Sequence, residues 1–261
     1  MIRLSSRTRR LASVGAGIVV LSGCATHRVE RPPGTPDGHV AVRPGRVGLV
    51  VAAPHGTSDI NTGHIAGEIA RRTGFGLVVA SGFAVPAGEA RHGRRRYQVN
   101  RPLEGVPGRP ASEQERTEMA RQVYELYERR VRQAARGPLR FYAEIHGNRR
   151  RACAGRIEIA TVGVDRELAL RLRALAELIR DAHLRTSPGI QRLDVLIEPL
   201  DAVTYQASGA KRDGILRLPE RGLHIELPEC ARRDWRDAYT AILADFLGQA
   251  VMLTAGRPPG P

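Results

Sequence analysis

Val47-Gly48-Leu49-Val50-Val51-Ala52-Ala53-Pro54-His55-Gly56-Thr57-Ser58-Asp59 passes from an apolar run straight into a histidine, a glycine and an acid. A short continuous apolar run bounded by turn residues is the pattern of a strand covered on both faces, as in parallel sheets flanked by helices. Outward from it, residues 76–80, 139–145, 156–161, 193–197 and 222–227 read as further strands, and 60–72, 112–135, 166–183 and 234–252 as helices. Apolar strands alternating with amphipathic helices predict an α/β fold, a three-layer sandwich around a mixed, mostly parallel central sheet. No internal repeat of fixed period is present.

The composition agrees with this. The 261 residues are 42% hydrophobic and 26% charged, enough for one sizeable core, which excludes collagenous and coiled-coil folds. Lys and Arg number 41 against 27 Asp and Glu, a net +14, yet Lys211 is the only lysine, so 40 arginines are spread along nearly every segment. Basicity distributed in this way is weak evidence for a polyanionic partner. An aromatic content of 4% leaves little for base stacking, and no nucleic-acid partner is expected.

The start of the chain reads as targeting. Arg3, Arg7, Arg9 and Arg10 precede an apolar stretch over 11–21 that is too short to span a bilayer, and Leu21-Ser22-Gly23-Cys24 follows. The ending resembles the lipobox of bacterial lipoproteins, which implies removal of 1–23, acylation of Cys24 and a net charge of 14 minus 4, or +10. Residues 24–45, with Pro32, Pro33, Pro36 and Pro44, read as a flexible tether, and 46–256 as the folded domain. The expected location is the periplasmic side of a bacterial membrane, lipid-anchored, with Ala25 resembling an outer-membrane sorting context.

Open α/β sheets place ligands at the carboxyl ends of their strands. Two such ends carry histidine: His55, with Asp59 soon after it, and His146 in Glu144-Ile145-His146-Gly147. Two imidazoles and a carboxylate, with a fourth position open, are the ligands catalytic zinc commonly takes. Other readings stand beside this one. Asp59 can be the N-cap of the helix beginning near Ile60; His64 reads as a surface residue, and His183 and His224 as ordinary hydrogen-bonded histidines. Between the two strand ends, Arg96-Tyr97-Gln98-Val99-Asn100-Arg101-Pro102 offers guanidinium groups suited to a substrate carboxylate. Arg91, Arg94 and Arg95 read as a solvated loop.

In this order, Pro-His-Gly, an acid, Asn-Arg-Pro, a strand ending in histidine and a late strand with glutamate resemble the N-formylglutamate amidohydrolase family. They also resemble the wider zinc carboxypeptidase-like superfamily, and the run over 55–70 is similar to poly-γ-glutamate hydrolases. The resemblance spans roughly 47–230 and implies a phosphorylase/hydrolase-like fold. It implies Zn2+ held by His55, Asp59 and His146, with Arg96, Asn100 and Arg101 taking the substrate's carboxylate. Glu226 is the implied general acid/base, in Leu223-His224-Ile225-Glu226-Leu227, with Glu229 as the fallback; the alternation in this strand fits a solvent-facing glutamate equally well. Two departures stand out: the acid lies four residues after His55 where carboxypeptidases have glutamate three after, and Gly147 stands where many relatives have serine.

The implied activity is zinc-dependent hydrolysis of an amide beside a carboxylate, in an N-acyl amino acid, a γ-glutamyl peptide or a cell-wall peptide. The alternative is a non-catalytic lipoprotein of the same fold that binds peptides or anionic envelope polymers. Convergence of His146 and Glu226 on one metal would bring Cys153 and Cys230 to the same sheet edge. With Cys24 acylated in an oxidising compartment, those two would then pair.

Overall fold

The computed structural model describes residues 38–83, 96–106, 109–110, 112–148, 153 and 155–254. The leader, Cys24 and most of the expected tether lie outside them, as do Arg91, Arg94, Arg95 and Arg149–Arg151. No helix among the described residues is long and apolar enough to cross a membrane.

The quoted stretch forms β2 (Arg46–Ala53), whose last six residues are buried. It lies inside a seven-stranded sheet of order β1-β3-β2-β7-β10-β8-β9. The members are β1 (His39–Arg43), β3 (Phe75–Ser81), β7 (Phe141–Gly147), β8 (Arg156–Val162), β9 (Asp194–Ile197) and β10 (Arg221–Leu227). The pairs β2–β3, β2–β7, β7–β10 and β8–β9 are parallel, whereas β1–β3 and β8–β10 are antiparallel. The mixed, mostly parallel three-layer α/β sandwich is therefore observed. A separate three-stranded sheet joins β4 (Arg96–Tyr97), β5 (Glu104–Gly105) and β6 (Gln114–Glu115).

Two segments differ from the sequence expectation. The tether does not extend to 45: His39-Val40-Ala41-Val42-Arg43 alternates in polarity and pairs with β3 over five residues, burying Val40 at the sheet edge. The helix expected from 112 begins at Glu118 instead, as α2 (Glu118–Ala135), because Thr117 is extended and its side chain accepts the Ala120 amide.

Strand periodicity divides the sheet into two unlike faces. Leu49, Val51 and Ala53, Phe141, Ala143 and Ile145, and Leu223, Ile225 and Leu227 point to one side. There they pack with α1 (Thr62–Thr73), α3 (Arg166–Leu184) and α6 (Arg236–Thr254) in one continuous core. On the other side Val50, Ala52, Val78, Ala80 and Tyr142 meet α2, which packs over β1, β2 and β3. Towards the carboxyl ends of β7 and β10 this second face turns polar. It is roofed there by residues 98–103 and by 203–217, which include α4 (Ser208–Asp213). The two roof segments are joined by the Ile215 amide, which donates to the Asn100 carbonyl at 2.9 Å.

Candidate metal centre

At the tip of β2 the chain makes one tight turn in which the Asp59 amide returns to the His55 carbonyl at 2.9 Å. This i to i+4 closure sets the acid over the histidine, so the four-residue spacing is the spacing of a turn. Asp59 Oδ2 lies 3.5 Å from His55 Nδ1 and 3.6 Å from His146 Nδ1, and it accepts the Gly147 amide at 3.2 Å. Asp59 is not a side-chain cap. Helix α1 starts at Thr62 with Asn61 in the cap position, and only the Asp59 carbonyl serves that turn.

The donor set fits a divalent metal. Tetrahedral bonds of about 2.0–2.1 Å hold ligand atoms roughly 3.3 Å apart, close to the spacings found here, and the candidate donor atoms of His55, Asp59 and His146 all lie within 4.8 Å of one another. A second group, Glu144, His146 and His224, meets the same distance criterion. Glu144, however, is fully buried and already engaged. It accepts from His224 Nδ1 at 2.7 Å, from Asn100 Nδ2 at 3.3 Å and from the Tyr142 hydroxyl at 3.2 Å.

Charge in the cluster is strongly coupled. Burial would raise the Asp59 carboxyl, but hydrogen bonds to His146 and His55 hold it far below the usual carboxylate range. Burial lowers His55 despite Asp59. Burial also acts to lower His146, yet the charge of Glu144, hydrogen bonding to Asp59 and Glu144 and the charge of Glu226 outweigh it and push His146 up to about 10.

Glu226 lies on β10 directly beside His146 on β7, the two paired in register. Its Oε1 meets His224 Nε2 at 3.2 Å, while its Oε2 is buried with no hydrogen-bond partner among the described residues. Glu226 lines a cleft of about 610 Å³ together with His55, Asp59, His146, Arg96 and Arg101. The polar alternation of β10 therefore marks a lining of this cleft.

The substrate-side expectations divide. Arg101 faces the cleft, braced at 3.2–3.3 Å by the side-chain oxygens of Gln98, Gln114 and Asn100. All of these partners are neutral amides, and burial lowers the guanidinium's pKa. Arg96 also faces the cleft, with a buried Nε that has no partner among the described residues. Asn100 does not reach it. The side chain is buried at 1% exposure and bonds Arg101 and Glu144 instead. Glu229 is also misplaced as a fallback acid/base: it opens α5 (Glu229–Arg232), is half exposed, and pairs with Arg233 at 2.8 Å.

Behind the site, Arg232 donates to the carbonyls of Ile60, Asn148 and Leu227 at 2.8, 3.1 and 3.2 Å, tying the loops after β2 and β7 to the end of β10. Its guanidinium explains Gly147, because a Cβ there would lie 2.3 Å from Arg232 Cζ. Nearby, Cys153 and Cys230 form a disulfide with Cα atoms 5.3 Å apart.

Sequence reading missed Glu144 and the place of His224 in this cluster. Both sit at alternate positions beside named residues, in Glu144-x-His146 and His224-x-Glu226. Polar residues recurring at that period in strands buried on both faces were the available signal.

No protein-family model matches the chain, and no curated protein matches it. Among solved structures, a bacteriophage poly-γ-glutamate hydrolase is similar at 11% identity and a TM-score of 0.46, over 82% of this chain and 88% of that one. Murine aminoacylase 3 shares 16% identity over 81% and 67% of the two chains, with a TM-score of 0.36. A metallo-carboxypeptidase from Burkholderia cenocepacia shares 13% over 81% and 57%, with a TM-score of 0.37.

Proposed function

We propose that this chain is a zinc-dependent hydrolase of the carboxypeptidase-like kind that cleaves an amide beside a substrate carboxylate. The observation that carries the reading is the meeting of four features in one cleft: the His55, Asp59 and His146 donors, the unpartnered Glu226 Oε2, and the guanidinium groups of Arg101 and Arg96. His55, Asp59 and His146 would hold the metal, which would supply positive charge to polarise a carbonyl and acidify water. The remaining steps belong to the chain's own residues. Arg101, held flat by three amide oxygens, takes the substrate carboxylate in a fork and thereby fixes where the scissile amide lies. Glu226 takes a proton from the attacking water on Oε2 and returns it to the leaving amine. Because Oε1 is occupied by His224, the free oxygen is the one that does this.

The turn over 54–59 supports this reading over the non-catalytic binder, because Asp59 lies 3.5 and 3.6 Å from the two histidines despite its spacing. Substrates in this reading are an N-acyl amino acid, a γ-glutamyl peptide or a cell-wall stem peptide. The Zn2+-loaded protein assayed on N-formyl-L-glutamate, poly-γ-glutamate and a stem peptide should release amine from at least one, and a chelator should stop it. Turnover of none of the three, or turnover that ignores chelation, contradicts the reading. The proposal includes acylation at Cys24 and a periplasmic, outer-membrane location; Cys24→Ser should release the protein from the membrane fraction, and continued retention refutes the anchor.

A further inference from the structure

The metal ligands, the acid/base and the carboxylate clamp come from different segments, yet one side chain touches the support of all three. Glu144 is fully buried and is not itself part of the cleft lining. Its Oε1 takes His224 Nδ1 at 2.7 Å, and the far nitrogen of that ring holds Glu226 Oε1 at 3.2 Å. Asn100 Nδ2 reaches both Glu144 oxygens at 3.3 and 3.4 Å, while Asn100 Oδ1 accepts Arg101 Nη1 at 3.2 Å. His146 Nε2, on the side away from Asp59, lies 3.3 Å from Glu144 Oε1. Beneath, Tyr142 donates to Oε2 at 3.2 Å and is itself bonded to Tyr127 at 2.9 Å, so the carboxylate is fixed from the core side.

We infer that Glu144 is a positioning residue that sets the general acid/base through His224 and the substrate clamp through Asn100; the functional roles of Glu226 and Arg101 are those of the proposed hydrolase. A carboxylate supplies acceptors on both oxygens, which one oxygen of an amide cannot replace. The two arms act on different quantities. His224 leaves Glu226 Oε2 free by occupying Oε1, which governs turnover. Asn100 holds the guanidinium facing the cleft, which governs substrate binding. A buried Glu kept only for folding would couple to neither.

The test uses the full chain with saturating Zn2+ and whichever of the three assay substrates is turned over. Cutting one arm at a time, His224→Phe should lower kcat about 10–100-fold with KM unchanged, and Asn100→Leu should raise KM by a similar factor with kcat unchanged. Glu144→Gln should do both. Crystal structures of the same variants give a readout independent of turnover: Glu226 should leave its position in His224→Phe, Arg101 in Asn100→Leu, and both in Glu144→Gln. If Glu144→Gln fails to fold, the two single-arm variants still decide. Wild-type inactivity on all three substrates defeats the hydrolase reading, and the crystal structures then judge the positioning claim alone. Glu226 and Arg101 unmoved in the variants, or a His224→Phe variant that changes KM instead of kcat, overturns it.

Discussion

Strands β7 and β10 present two faces built from the same backbone. On one, Phe141, Ala143, Ile145, Leu223, Ile225 and Leu227 are apolar and buried under α1, α3 and α6. On the other, one residue along, stand Tyr142, Glu144, His146, His224 and Glu226, almost as deeply buried but polar. A period of two lets one strand be core on one face and cleft lining on the other. The apolar face gains from burial directly. The polar face is tolerated because most of its groups satisfy one another, and Glu226, whose Oε2 is left without a partner among the described residues, lines the cleft.

The sharpest way to separate the faces is a pair of neighbouring substitutions. His146→Ala should abolish both metal binding and hydrolysis while the protein remains folded. Ile225→Ala should leave the metal in place in the folded fraction but cost about 2–5 kcal/mol in a denaturant melt. Equal effects of the two on metal content would erase the distinction. Next in size, Glu226→Gln should lower kcat by roughly 10²–10⁴-fold, whereas Glu229→Gln, in the solvent-facing ion pair with Arg233, should leave it unchanged. Steady-state kinetics on the two variants checks this.

Smaller effects are expected at the seam behind the site. Arg232→Met removes a buried guanidinium from three carbonyls and should cost about 3 kcal/mol by denaturant unfolding. Gly147→Ser forces a Cβ against the same guanidinium and should destabilise in the same direction. A stability unchanged in both would mean that this seam is not tight.

The smallest effect concerns pH in the metal-free protein. Burial opposes a charge on His146, but Glu144, Asp59 and Glu226 raise its pKa to about 10 from the ordinary 6.5. A raised folded-state pKa contributes stability that is complete below pH 6.5 and is lost as the pH rises through about 10. Melting temperatures in EDTA should therefore fall between pH 7 and 10. Zn2+, which takes the proton's place, should remove most of that fall. A flat profile in EDTA would contradict the carboxylate cage.

The readable parts of the fold were those with continuous apolar runs, β2 above all, because a strand covered on both faces needs no partner to be recognised. Strand β1 escaped because its Val40 and Val42 stand between Gly38 and Pro44 in a proline-rich surrounding. At the site, His55, Asp59, His146, Arg96, Arg101 and Glu226 were legible as strand-end and motif residues, and the structure gathers them around one cleft. Asn100 lies behind the cleft that Arg101 lines, and a dipeptide such as Asn100-Arg101 does not show which of two adjacent side chains faces it. His224 reads as a hydrogen-bonded histidine and is one, but its partners and the place of Glu144 are not legible, because a polar residue inside a strand shows its partners only when the neighbouring strand is in register. The roof over 203–217 brings Tyr205 and, on the short helix α4, Arg212 to the cleft; its backbone amides donate to the Glu158 carboxylate and the Asn100 carbonyl, long-range bonds with no local sequence pattern.

The central claim is that one metal binds where the two strand tips meet, between His55, Asp59 and His146. Crystals of the full chain grown with Zn2+ and measured at the zinc absorption edge test it most directly. The prediction is a single anomalous peak within about 2.0–2.2 Å of His55 Nδ1, His146 Nδ1 and an Asp59 oxygen, absent in His55→Ala. A peak seated instead among Glu144, His146 and His224, or no peak near either group, would contradict it.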